Sequence, residues 1–133
     1  ITPITSTPLC GGMLTGKYRA GDKGRPEGMG GKVFQAEHNE QRSAILDEVL
    51  AIATENGASP DQVAIAWVAA QECIPIIGPR TQAQYVSNVG FSGANLTEAQ
   101  IDRLNSVSQF DNDIKTAPVQ ALLGHVIPGK PVA

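Results

Sequence analysis

Aromatic residues make up only 5% of this 133-residue chain, and several other signals are absent. No apolar run approaches the roughly 20 residues a membrane helix needs, and no secretory signal pattern is present. A membrane protein and an exported one are therefore not expected, and the reading is cytoplasmic. The net charge of -3 gives no general reason to expect a nucleic-acid partner. Cys10 and Cys73 are the only two cysteines; neither their number nor their spacing makes a disulfide framework or a metal knuckle, so reduced thiols and no metal site are expected. The chain begins with Ile1, inside an apolar β-type run rather than at a methionine, which points to truncation or processing.

What is present is glycine, clustered with positive charge. Lys17, Arg19, Lys23, Arg25 and Lys32 lie in one stretch with Gly16, Gly21, Gly24, Gly28, Gly30 and Gly31, opposed only by Asp22 and Glu27. An anionic ligand favours such a loop, and so does plain solvation of a mobile loop; composition leaves both open. The stretch GGMLTGKY, residues 11 to 18, comes close to a phosphate-binding P-loop: Gly11, Gly16 and Lys17 fall on the pattern, but Tyr18 stands where a Ser or Thr hydroxyl would hold Mg²⁺. A P-loop also needs a helix to begin at the Gly-Lys pair, and YRAGDKGRPEGMGG is not a helical sequence.

Along the chain, residues 1 to 9 (ITPITSTPL) predict a short buried strand restrained by Pro3 and Pro8. Residues 10 to 32 predict a long loop. Between Asn39 and Asn56, Ala44, Ile45, Val49, Ile52 and Ala53 recur at helical spacing, and Gly57 suits the stop. Asp47 and Glu48 read as a solvated face. Ser59-Pro60-Asp61-Gln62 starts a second helix with a capping box, and VAIAWVAA (63 to 70) predicts burial on most sides, with Trp67 in the core. CIPIIG (73 to 78) predicts a second buried strand. Thr81-x-x-Gln84 and Thr97-x-x-Gln100 predict two further capped helices, the first to about Val89 with Tyr85 as a packing residue, the second carrying Ile101, Leu104 and Val107. After Phe110 periodicity is lost, and the tail either lies over something or is disordered. Strands alternating with helices mean an α/β class with parallel strands. Two strands cannot bury both faces of a sheet, so the organisation predicts a piece of a larger structure, with unpartnered apolar surface.

The segment IIGPRTQAQYVSN (76 to 88) carries a second anion signal. A strand ends at Gly78, where backbone can approach a ligand. Thr81 opens a helix whose free N–H groups and dipole favour an anion. Arg80 stands at that mouth with a fork suited to phosphate, and Gln84 and Asn88 are four apart.

Taken together, STPLCGGMLTGKY (6 to 18), SPDQVAIAWV (59 to 68), IPIIGPRT with Gln84 and Asn88 (74 to 88) and LTEAQIDRL (96 to 104) resemble the carboxy-terminal part of an aldo-keto reductase. The nearest flavour is the group holding potassium-channel β-subunits and general bacterial aldo-keto reductases. The resemblance covers residues 1–108 and leaves 109–133 as a poorly matching tail. It implies a (β/α)₈ TIM barrel in which residues 1–9 are strand seven and 73–78 strand eight. It implies NADPH as cofactor and a small aldehyde or ketone as substrate. By the family's pattern Thr7, Pro8, Leu9 and Gly11 pass beside the cofactor, and Lys17 approaches its phosphates. Gly78 and Arg80 hold the ribose phosphate end, Gln84 reaches the adenosine 2′-phosphate region, and Asn88 meets the adenine. On this reading GGMLTGKY arches over a dinucleotide, in keeping with barrel enzymes that place a phosphate site after strands seven and eight.

The family's catalytic Asp, Tyr, Lys and His belong to the first half of the barrel, and no such motifs occur here. Tyr18, Tyr85, His38 and His125 lie in other contexts, and Asp111 and Asp113 read as a solvated pair. No catalytic residue is therefore assigned to this chain. A barrel takes about 250 residues, so the missing amino-terminal half is itself an expected partner and the chain alone is expected to be inactive. The alternative is a non-catalytic module that senses NADPH and regulates a partner, of channel β-subunit type. A helical fragment without a ligand is a third reading.

Overall fold

Helix ends are written locally, and the computed structural model, which describes residues 1–20, 37 and 39–109, bears out most of them. Helix α1 spans Glu40–Asn56: the Asn39 side chain accepts from Arg42 N, and Gly57 stops the helix at φ 61°. Helix α2 spans Pro60–Ala70, with Gln62 Oε1 accepting from Ser59 N at 3.1 Å. Helix α3 spans Gln82–Val89, and α4 spans Glu98–Val107 behind a complete capping box between Thr97 and Gln100. Each cap satisfies backbone N–H groups that the first turn leaves over.

Strands β1 (Ile4–Ser6) and β2 (Ile74–Ile76) pair in parallel, with Ile4 opposite Ile74, Thr5 opposite Pro75 and Ser6 opposite Ile76. Both are shorter than the expected runs of 1–9 and 73–78. Pro3 and Pro8 bracket β1, and Thr7 turns out of it at φ 60°. Nor are they buried. Ile4, Ile74 and Ile76 are 66%, 53% and 52% exposed, because only α2 packs on the sheet and the face bearing these three residues has no cover among the described residues. Alternation puts Thr5 and Pro75 on the opposite, half-buried face.

The core lies between the helices. Val49, Ile52 and Ala53 of α1 meet Val63 and Ala64 of α2, Leu104 of α4, and Met13 and Leu14 of a 3₁₀ segment at Cys10–Thr15. Full burial of a residue such as Ile52 or Val63 stabilises by about 1.5–3 kcal/mol. VAIAWVAA therefore finds its partners within the chain, and among the described residues the exposed large apolar side chains are Ile1, the isoleucines of the strands, and Tyr85, Val86 and Val89 of α3. Tyr85, expected to pack, is 54% exposed. In α1, Leu46 is buried while Ala44 is exposed, so the stripe runs 46, 49, 52, 53. Trp67 is half-buried against the core, and its Nε1 donates to Asn105 Oδ1 at 2.9 Å. Asp47 and Glu48 are not simply solvated: they pair with Arg19 and Arg103.

Candidate functional site

Parallel pairing puts the carboxyl ends of both strands at one edge, so the loop after β1 and the turn after β2 leave the sheet side by side. The expected site residues all follow these two ends. Thr7, Pro8, Leu9, Gly11 and Lys17 lie after β1; Gly78, Arg80, Gln84 and Asn88 lie after β2.

The first loop is tightly wound. Thr7, Cys10, Gly11, Gly12 and Gly16 all have positive φ. For a β-branched threonine this is an outlier, costing about 1–3 kcal/mol, and such strain collects at ligand clamps. Thr7 O accepts from Cys10 N at 3.0 Å and Leu9 O from Gly12 N at 2.9 Å. Pro8 is buried and Leu9 half-buried, while Thr7 and Gly11 are exposed. Met13 and Leu14, central in the P-loop-like stretch, point into the core, and the 3₁₀ segment ends at Gly16 where a P-loop would begin its helix. Beyond it, Tyr18 Oη donates to Gly11 O at 2.9 Å, and Lys17 Nζ sits 5.0 Å from the Tyr18 ring centroid. Burial pushes the Cys10 thiol up, with a smaller opposing effect from Arg42.

The second element begins in the open: a Cβ built on Gly78 meets nothing within 4 Å. Thr81 caps α3 by accepting from Gln84 N at 3.2 Å. The expected box does not close reciprocally, because Gln84 Oε1 accepts from Arg80 N at 2.8 Å instead of from Thr81 N. That bond uses the amide oxygen and leaves Nε2 as the remaining donor of an exposed side chain. The exposed Arg80 guanidinium then stands as a charged donor beside the first-turn N–H groups that the Thr81 cap leaves over. Asn88, one turn further on, is 4% exposed as a residue, and its amide is not among the buried polar atoms left without a partner. The other buried amide, Gln100, is fully used: its Nε2 donates to Glu55 Oε2 and Asn56 Oδ1, and its Oε1 accepts from Asn56 Nδ2 and Thr97 N.

Charge is distributed to match. Arg19 is held by Glu37 and Asp47, and Arg103 by Glu48 and Glu55. These contacts hold both guanidinium groups more firmly charged and depress the carboxyls of Glu37 and Glu55. Lys17 and Arg80 make no ion pair among the described residues. Lys23, Arg25, Lys32, His38, Asp111, Asp113 and His125 lie outside the described residues. Among the described residues no group of three or more His, Cys, Asp or Glu could hold a metal ion, and no helix is long and apolar enough to cross a membrane.

Sequence reasoning missed Tyr18 as a tie across the loop, and Gly12 as the space beneath it. A Cβ there would lie 3.1 Å from both Lys17 Cε and Tyr18 Oη. The tandem Gly11-Gly12 was the available signal.

The model of the aldo/keto reductase family matches residues 1–109. Aldo-keto reductase str7 of Strobilurus tenacellus is 27% identical over 113 residues, covering 82% of this chain and 34% of that protein. Aldo-keto reductase yakc [NADP(+)] of Schizosaccharomyces pombe is 29% identical over 109 residues, covering 78% of this chain and 32% of that protein. The chain thus spans about a third of the length of the curated relatives it matches. With the family model covering the whole described region, this chain belongs to the aldo/keto reductase family.

Proposed function

We propose that this chain is the cofactor-binding portion of an NADP-dependent aldo-keto reductase that reduces aldehydes or ketones to alcohols. On this reading β1 and β2 are the seventh and eighth strands of a (β/α)₈ barrel whose other strands cover the exposed isoleucine face. The observation that supports it is the mouth of α3, where the exposed Arg80 stands beside the helix N-terminus capped by Thr81. Arg80 makes no ion pair among the described residues, so its guanidinium can meet an anion, and Asn88 lies one helical turn beyond Gln84. This set fits a nucleotide that is phosphate at one end and a hydrogen-bonding base at the other.

The bound nicotinamide cofactor supplies the hydride. The chain's own part is to bind and orient. Thr7, Pro8, Leu9 and Gly11 form the wall beside the cofactor, and Lys17 neutralises its phosphates. Gly78 leaves room for the ribose phosphate end, where Arg80 supplies charge. Gln84 donates toward the adenosine 2′-phosphate, and Asn88 pairs with the adenine edge. On this reading the proton that the alcohol gains comes from the remainder of the barrel. The resemblance of residues 6–18 and 74–88 to the channel β-subunit group keeps cofactor sensing without turnover as the second use of the same site.

The test is fluorescence titration of the intact protein with NADPH and NADH, beside an aldehyde-reduction assay. Hydrogen bonds to a charged group contribute about 1.5–3 kcal/mol, so Arg80→Ala is expected to weaken NADPH binding by roughly 10- to 100-fold and NADH binding far less. Equal loss for both cofactors would remove the 2′-phosphate from Arg80. Binding without reduction would favour the sensor.

A further inference from the structure

Neighbouring residues in a chain usually send their side chains apart, yet Lys17 and Tyr18 converge. The chain reverses at Gly16, at φ 75°, and returns across the tandem glycines. Three features hold the lysine there. The Lys17 ammonium lies 5.0 Å from the Tyr18 ring centroid, within reach of its negative face. The Tyr18 hydroxyl is anchored on Gly11 O at 2.9 Å, which fixes the ring. The lysine stem lies over Gly12, where any Cβ would come 3.1 Å from Cε and 3.4 Å from Nζ. No carboxylate neutralises this ammonium among the described residues, whereas Arg19, two positions on, is paired with Glu37 and Asp47.

We propose that Tyr18 is a positioning residue: its ring and hydroxyl hold the Lys17 ammonium in place, unneutralised, ready for the cofactor's phosphates. The proposal rests on the reading above, in which Lys17 meets those phosphates. A free lysine carries about 2 kcal/mol of rotamer entropy, much of which is lost when it binds an anion. An aromatic face restrains it beforehand without cancelling its charge, which a carboxylate would do. Tyr18 occupies the position where a P-loop has its Mg²⁺ ligand, and here it acts on the lysine instead of a metal.

The experiment is a double-mutant cycle in the intact protein, with NADPH affinity read at several salt concentrations and thermal midpoints recorded alongside. The variants are Lys17→Met, Tyr18→Leu, Tyr18→Phe and the Lys17→Met/Tyr18→Leu pair. Tyr18→Leu is expected to weaken binding about two- to five-fold, the range of an exposed cation–π contact, and to have no further effect once Lys17 is Met. Tyr18→Phe keeps the ring and is expected to retain most of the affinity, which a purely structural role of the hydroxyl would not allow. Lys17→Met should flatten the salt dependence, since one phosphate contact is gone. If Lys17→Met weakens binding but Tyr18→Leu adds the same loss in both backgrounds, positioning is overturned and the cofactor reading stands. If Lys17→Met changes nothing, both the Lys17 assignment and the positioning role fall, and the response of Arg80→Ala decides the rest of the site.

Discussion

Gly90, which closes α3, adopts φ -69° and ψ -3°, a conformation open to any residue. On backbone grounds alone Gly90→Ala should stabilise by about 0.4–1 kcal/mol, through the lower entropy of the unfolded chain. The structure reverses that sign. A Cβ on Gly90 would lie 2.4 Å from Gln62 Nε2. Gln62 is long and can swing away, so steric strain is not the main cost; the cost is what the amide leaves behind. Its Nε2 donates to Ser87 O at 3.0 Å, and its Oε1 accepts from Ser59 N at 3.1 Å. One bond ties α2 to α3; the other caps α2. At about 0.5–1.5 kcal/mol each, losing both outweighs the entropic gain, and Gly90→Ala is expected to cost about 1–2 kcal/mol net. Urea unfolding of Gly90→Ala, Gln62→Ala and the double variant checks this. Once Gln62 is Ala, nothing opposes the new methyl, and Gly90→Ala should become stabilising. A destabilisation of equal size in both backgrounds, or a gain in the native one, would refute the reasoning. Because α3 carries Gln84 and Asn88, a loosened link to α2 should also weaken NADPH binding where cofactor binds.

Two further outcomes follow from packing and charge. Ile52 is fully buried between α1, α2 and α4, so Ile52→Ala should cost about 2–5 kcal/mol in urea unfolding. The carboxyls of Glu37 and Glu55 both sit below the ordinary value of 4.5, mainly through their bonds to Arg19 and Arg103. A depressed folded-state value means the contribution is full above about pH 4.5 and is lost as pH falls through the lower folded value. Stability measured down an acid series should decline there, and a Glu37→Gln/Glu55→Gln variant should show a shallower decline; an unchanged slope would remove these pairs from acid stability.

What could be read in the sequence was local. Ser59, Thr97 and Gly57 mark helix ends because a cap needs only residues three or four apart, and each was found in place; the Asn39 cap was not foreseen. The Thr81 cap was legible, but the destination of Gln84 was not: the Thr81 and Arg80 amides compete for one carbonyl, and only the turn geometry decides. Burial of β1 and β2 was misjudged because β-branched apolar composition does not say what packs on either face, and among the described residues only α2 packs on the sheet. Tyr18 looked like a flaw in a motif, since its link to Gly11 depends on a reversal at Gly16 that no pairwise spacing records. The pairing of Asp47 with Arg19 likewise crosses 28 positions.

The register of the two strands also bears on the order in which the molecule assembles. Ile4 pairs with Ile74, so about 70 positions separate the partners, whereas α1 and α2, which supply most of the buried core cluster, follow one another directly in sequence. Closing so long a loop costs chain entropy that a three-residue ladder repays poorly. The ladder should therefore join late and open first, a unit of low local stability on a firmer helical base. The two loops of the candidate site leave the sheet side by side only while that ladder is closed. Amide hydrogens of Ile74 and its neighbours should exchange faster than those of α1 and α2, and any ligand that spans both loops will slow them.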